Sequence, residues 1–354
     1  MRQRSCSDDC ISGAPDLMSV APRSATTWHR SPAFIAALCL FALLIFSHDP
    51  GVLTHAQFWG EDGWFWYPES RMGIASLILP HTGYLQTFPR LVALLGRSIP
   101  LYWSPTYFAL VAFAVQWSVP AFFFSDRCAN MVGSPLARFG FACLICAMPC
   151  PEVFVNLTNS QWQLAALDLL IVLSAAPRSG AAWTFDGVML AVGATSGPFS
   201  VLLAPIAFWE FYSRRSRAAF ARCLVLASGA VLQLASTFLD STIHRVATPL
   251  DAAPTRLARI LAEQIVLLPG FGVEDMLHIA QTGLWRRGIL PWLVVALVAM
   301  VCGFAWRRSA SFRPAFVFGA LSGTAAMISP VVSDKTPQWV VMDTAFAGQR
   351  YFFI

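Results

Sequence analysis

From residue 105 to 124 the chain runs without a charged side chain, and it does so again from 289 to 306. Runs of this length are what crossing a ~30 Å hydrocarbon core demands, because about 20 residues are needed and each backbone polar group must be satisfied inside the helix. Further apolar runs cover residues 33–47, 136–148, 164–176, 218–239 and 312–331. The shorter ones must borrow polar neighbours at their ends or sit within protein. Residues 186–212 are apolar too, but Ser196-Gly197-Pro198 interrupts them. Serine, glycine and proline in succession break a helix, so this stretch is read as two short helices meeting near mid-membrane in a hairpin that returns to its starting side. The fold class expected is therefore an all-α polytopic membrane protein. Composition agrees, with 56% hydrophobic and 12% charged residues. That balance excludes a disordered chain. The net charge of +5 is scattered among apolar runs, which excludes a nucleic-acid surface.

Residues 1–32 read as a disordered cytoplasmic tail and 33–354 as a single transmembrane domain. The first run is followed by Ser47-His48-Asp49-Pro50 rather than a small-residue cleavage site, which makes it a retained anchor. An inside N-terminus places 125–137, 177–183, 213–222 and 307–313 in the cytoplasm. These segments carry Arg127, Arg178, Arg214, Arg215, Arg217, Arg222, Arg307, Arg308 and Arg313, as the positive-inside tendency requires. The external loops are then 48–104, 151–162, 240–287 and 332–350. An apolar run begins at Tyr351 where the chain ends, so the architecture is expected to continue through further spans, with the chain truncated at its C-terminus. Cys143, Cys146 and Cys150 share one helix face and read as small packing residues, and no disulfide framework follows from the nine cysteines.

The loop 48–104 carries Trp59-Gly60-Glu61-Asp62-Gly63-Trp64-Phe65-Trp66. Aromatics at headgroup depth are ordinary anchors, so Trp59, Trp64 and Trp66 read as interfacial packing. Two carboxylates held near lipid depth need partners or a wet cavity, which makes Glu61 and Asp62 candidates for catalysis or ligand binding. The same loop continues through His81, Tyr84 and Arg90. Arg90 starts an apolar helix, where its guanidinium and free backbone N–H groups suit a phosphate as well as they suit an interfacial, snorkelling arginine. The turn Glu152 to Gln163, with Asn156, Asn159, Gln161 and Trp162, is too polar to face lipid and must face water, ligand or protein. Asp168 lies within a span and needs a partner there. Arg256, Arg259 and Glu263 sit on an amphipathic stretch read as lying on the bilayer.

An inside N-terminus, one span, then a large external loop with an acidic pair just beyond the membrane resembles the GT-C superfamily of integral-membrane glycosyltransferases, above all its bacterial branch using polyprenyl-phosphate sugars. The resemblance covers most of the chain and rests on Trp59-Gly-Glu-Asp-Gly, the 83–90 segment, Asn156 to Trp162, the Gly197-Pro198 hairpin and Gln349-Arg350-Tyr351-Phe352. It implies a transmembrane helix bundle whose large first extracytoplasmic loop carries interfacial helices. It also implies transfer of a sugar from a polyprenyl-phosphate donor to a glycan, lipid or protein acceptor, at the outer face of a bacterial inner membrane. Asp62 is then expected as general base, with Glu61 in the partner role, and Arg90 and Arg350 as phosphate holders. His81, Tyr84, Glu152, Asn156, Asn159, Gln161, Trp162 and Tyr351 are expected to bind substrate. The resemblance leaves open whether a divalent cation assists, and the metal is unknown. A transporter or flippase for a lipid-linked or anionic substrate, and a catalytically silent membrane scaffold, stand as alternatives.

Overall fold

The computed structural model describes residues 31–148, 150–239, 248–343 and 347–353, so the expected disordered tail lies, up to residue 30, outside the described residues. All seven apolar runs are helical in it, and helix dominates the described chain. α1 (Pro32–His48) opens on a side-chain cap, Ser31 Oγ accepting the Phe34 N–H at 3.2 Å. The loop that follows is built from short pieces: α2 (Gly51–Thr54), a π-helical turn Asp62–Trp66, α3 (Tyr67–Glu69), a 3-10 stretch Ser70–Ile78, and α4 (Thr87–Leu95). Before α4 comes a hairpin of β1 (Pro80–His81) and β2 (Tyr84–Leu85), which adds a small antiparallel pair to the all-α expectation. Its turn residues Thr82 and Gly83 both have positive φ, 53° and 92°, as a two-residue hairpin turn of the primed kind requires.

The remaining helices are α5 (Ser104–Phe124), α6 (Pro135–Ala147), α7 (Ser160–Leu173), α8 (Gly180–Ala194), α9 (Phe199–Arg214), α10 (Arg217–Leu239), α11 (Pro254–Ala262), α12 (Leu268–Gln281), α13 (Gly283–Arg286), α14 (Ile289–Arg308), α15 (Phe312–Ile328) and α16 (Gln338–Met342). The expected break is present between α8 and α9, at Thr195 to Pro198. Three helices, α5, α10 and α14, are long and apolar enough to cross a membrane. Pro291 is the one buried residue of α14, which leaves Leu293, Met300 and Phe304 exposed. An apolar face of that size is stable against lipid or another protein rather than water.

At the centre lies α7, buried along nearly its whole length against α5, α8 and α9. Close approach of α8 depends on Gly193, because a Cβ there would collide with the Asp168 carboxylate of α7. The two ends of α7 differ sharply in chemistry. At its C-terminal end, Arg214 donates to Leu173 O and Ser174 O at 3.0 Å each, and Arg222 donates to Ser174 O at 3.0 Å and Ala175 O at 3.1 Å. Asp186 of α8 pairs with Arg127 at 2.5 Å and Arg222 at 2.9 Å. Guanidinium groups thus satisfy carbonyls that a helix end leaves unpaired, and they complement its dipole. Its N-terminal end, about 21 Å away by helical rise, carries the amides of residues 156–163.

Candidate functional site

Around that N-terminal end of α7 the loop 48–104, the α8–α9 turn, α15 and the 348–352 turn converge on a cavity of ≈ 650 Å³. Backbone pairing fixes its floor. The Leu85 carbonyl accepts the Gly197 N–H at 2.9 Å, Ser196 Oγ accepts the Phe88 N–H at 2.8 Å, and the Gln233 side chain of α10 accepts the Leu85 N–H at 2.8 Å. Gly197 itself has φ +97°, and a Cβ there would run into the Gln161 side chain, so glycine is required at the turn. Pro198, Phe199 and Leu202 of the α8–α9 hairpin line one wall.

Of the residues singled out from the sequence, Glu61, His81, Tyr84, Asn159, Gln161, Trp162, Arg350 and Tyr351 line this cavity. Among the described residues, no hydrogen-bond or ion-pair partner engages the Glu61 carboxylate. His81 packs its ring 4.9 Å from Trp66. Burial, helped by the Arg90 charge, pushes its imidazole below the ordinary histidine value. Burial likewise pushes the Tyr84 phenol up, so it stands as a hydroxyl at neutral pH. Trp162 lies edge-on to Phe199 at 4.6 Å and to Tyr351 at 5.7 Å, forming an aromatic corner.

Asp62 faces the other way. Its carboxylate accepts the Leu157 N–H at 3.3 Å, the Thr158 N–H at 3.0 Å and the Thr158 hydroxyl at 2.7 Å, while Thr158 Oγ1 accepts the Trp66 indole N–H at 2.9 Å. The group is 3% exposed, and burial pushes it up to about 6 against the three hydrogen bonds that favour its charge. Three hydrogen bonds tie Asp62 to the 157–158 turn, and of the two carboxylates it is Glu61 that lines the ≈ 650 Å³ cavity. Asp62 opens a π-helical turn, with Glu61 as the residue just before it.

Three other expectations change in the same physical way. Arg90, expected at a phosphate, is 1% exposed. Its guanidinium donates to Glu69 at 2.9 Å and to the Leu79 carbonyl, and lies 4.8 Å from the Trp66 ring centre. Glu152 accepts the Gly348 N–H at 3.0 Å and the Arg350 N–H at 3.3 Å, with the Arg350 guanidinium 3.5 Å away, so it fastens the 348–352 turn. Asn156 accepts the Asn159 N–H at 2.8 Å and donates to Glu152 O at 2.9 Å, which makes the amide-rich turn self-supporting. Asp62, Glu152 and Asn156 line a second cavity of ≈ 820 Å³ on the far side of Trp59. Beside them Val155 holds φ 43°, a strained conformation for a β-branched residue. Trp66, read as an interfacial anchor, is fully buried, whereas Trp64 is 82% exposed.

The sequence reading passed over Gln86, Thr158, Thr237 and Ser322, which also line the ≈ 650 Å³ cavity. Gln86 stood in a stretch already marked as informative; Ser322 stood in an apolar run with nothing to mark it. Among the described residues no cluster of three His, Cys, Asp or Glu is arranged to hold a metal ion. No family model matches the chain, and none of the curated proteins or solved structures compared with it matches.

Proposed function

We propose that the chain is a polytopic membrane glycosyltransferase that moves a sugar from a polyprenyl-phosphate donor to an acceptor hydroxyl at the extracytoplasmic face of a bacterial inner membrane. The observation that carries the reading is the two-faced cavity. One wall presents a carboxylate with no partner among the described residues, amides and aromatic rings, and the other is mostly apolar, from Leu202 of α9 to Ala325 and Ala326 of α15, with Ser322 and Ser329 as its polar points. An amphiphile with a hydroxylated head and a hydrocarbon tail matches both walls, and the volume lies in the range of ordinary small-ligand sites. The arginines at the opposite end of α7 support the orientation, since basic residues favour the cytoplasmic side.

In this reading Glu61 accepts the proton of the acceptor hydroxyl as its oxygen attacks the anomeric carbon. The bond from that carbon to the phosphate oxygen breaks, and polyprenyl phosphate leaves with the electron pair. A phosphate is a good leaving group and needs no acid beside it, so one carboxylate suffices. Arg350, beside the Tyr351 hydroxyl, steadies the phosphate charge. Asp62 holds the 157–158 turn in register while Glu61 works. The acceptor is a glycan, lipid or protein hydroxyl.

Purified protein in detergent, given a radiolabelled polyprenyl-phosphate sugar and a mixed acceptor fraction, should release polyprenyl phosphate. Detergent abolishes any gradient, which separates transfer from transport. Glu61→Gln should lower that rate on the order of 100- to 10,000-fold with the fold intact. Full turnover by Glu61→Gln would sink the proposal.

A further inference from the structure

Among the described residues, Arg350 is the only arginine or lysine that lines the ≈ 650 Å³ cavity. His81 lines it too, but burial and the Arg90 charge hold its imidazole toward the neutral form. An anion in the cavity therefore leans on one guanidinium, and whatever fixes the place of that group decides how well the anion is held.

Part of the fixing is local. Val331 O accepts a guanidinium N–H at 2.7 Å, and the Tyr351 hydroxyl lies 3.4 Å from the same nitrogen. The rest comes from Glu152, which holds backbone and side chain together. Its Oε1 accepts the Gly348 N–H at 3.0 Å, and its Oε2 accepts the Arg350 N–H at 3.3 Å and lies 3.5 Å from Arg350 Nη1. The amide-rich turn fixes Glu152 in its place, since the Glu152 carbonyl accepts from Asn156 Nδ2 at 2.9 Å and Asn159 Nδ2 at 2.7 Å. Glu152 itself lines the ≈ 820 Å³ cavity and not this one, so what it does for a ligand here it does through the 348–352 turn.

Resting on the glycosyl-transfer reading, we infer that Glu152 is a positioning residue for the donor: its carboxylate fixes the Arg350 guanidinium at the point where the donor phosphate is held. Two effects of that carboxylate oppose each other. Its charge competes with the phosphate for the guanidinium, while its hydrogen bonds to the turn hold the guanidinium in place. Position outweighs charge. Glu152 is 23% exposed, so water screens its charge, whereas an arginine released from its turn spreads over many rotamers that binding must then freeze. Loss of the carboxylate should therefore weaken phosphate binding, although charge alone would tighten it.

The test is equilibrium binding of a short polyprenyl phosphate, carrying no sugar, to the full chain in detergent. It compares the native protein with Glu152→Gln, Arg350→Gln and the double variant. Arg350→Gln should weaken binding by about tenfold or more. Glu152→Gln should weaken it about tenfold, a margin of about 1.4 kcal/mol, with Arg350 present and less than about twofold with Arg350 replaced. Glu152→Asp, which returns the charge on a shorter side chain, should recover part of the loss. If Glu152→Gln misfolds, Glu152→Asp takes its place in the cycle, with a smaller loss of the same pattern. A merely structural carboxylate would weaken binding equally in both backgrounds, and that result would overturn the inference while leaving glycosyl transfer standing. Unchanged or tighter binding by Glu152→Gln would overturn it as well, by showing that the carboxylate does not place its partner. If the native protein bound no polyprenyl phosphate, the glycosyl-transfer reading would fall and this inference with it.

Discussion

The hydroxyl of Thr158 donates to the carboxylate of Asp62 at 2.7 Å, across 96 residues of chain. Because the same oxygen takes the Trp66 indole N–H, one small side chain ties the external loop to the start of α7. Thr158→Val keeps the shape and removes both bonds, leaving a buried carboxylate and a buried N–H short of partners. It should cost about 1–3 kcal/mol, seen as a lower melting temperature in detergent. An unchanged melting temperature would show that this tie carries no weight.

Arg90→Gln should also act on stability rather than on donor affinity. Losing the charge-assisted bond to Glu69, with the guanidinium 1% exposed, should cost about 1.5–3 kcal/mol. Donor titration of the folded variant checks the other half, and a large loss of affinity with normal melting would return Arg90 to the phosphate.

Glu263 supplies a pH dependence. It is 2% exposed, and burial, with the Asp343 carboxylate nearby, pushes it up to about 8. Asp343 is itself faced by Arg259 at 3.5 Å and Arg256 at 3.8 Å. A raised acid favours the folded state while protonated, so its contribution is complete below about 4.5 and is lost as pH rises through about 8. Melting curves from pH 5 to 9 should therefore fall more steeply for the native chain than for Glu263→Gln, which carries no titrating group there.

Gly193→Ala should force α8 away from Asp168 and cost about 1–3 kcal/mol. Asp168→Ala clears the space, so the double variant should be more stable than the sum of the singles requires. A double-mutant cycle reads that coupling directly, and simple additivity would refute the contact.

Orientation can be read by cysteine labelling of intact cells, using single cysteines at 63 and 216 in a background without native ones. A membrane-impermeant reagent should modify 63 and spare 216. The reverse pattern would invert the proposed topology.

The helices were legible because an uncharged run of this length has few other uses, and the α8–α9 break because Gly197-Pro198 admits no continuous helix. Much of the cavity lining was legible too, since amides and aromatics near a membrane have few stable places to go. What failed was the assignment of partners. An arginine at the start of an apolar helix looks the same whether it awaits a phosphate or already holds Glu69, 21 residues earlier. That two adjacent carboxylates would take different roles was legible, but not that Asp62 is the one held by Thr158, 96 residues away. Ser322 belongs to an apolar helix, and its place on the cavity wall follows from how α15 packs rather than from any local signal.

The anchoring of Gly348 by Glu152 spans 196 residues. At ordinary translation rates of about 5–20 residues per second, Glu152 emerges about 10 to 40 seconds before the segment that will occupy it. During that interval the carboxylate has no Arg350 beside it, and the wall that Arg350 and Tyr351 contribute does not exist. These residues therefore reach their places well after Glu152, and a growing chain stalled before residue 348 would hold its Glu61 carboxylate in a half-built cleft.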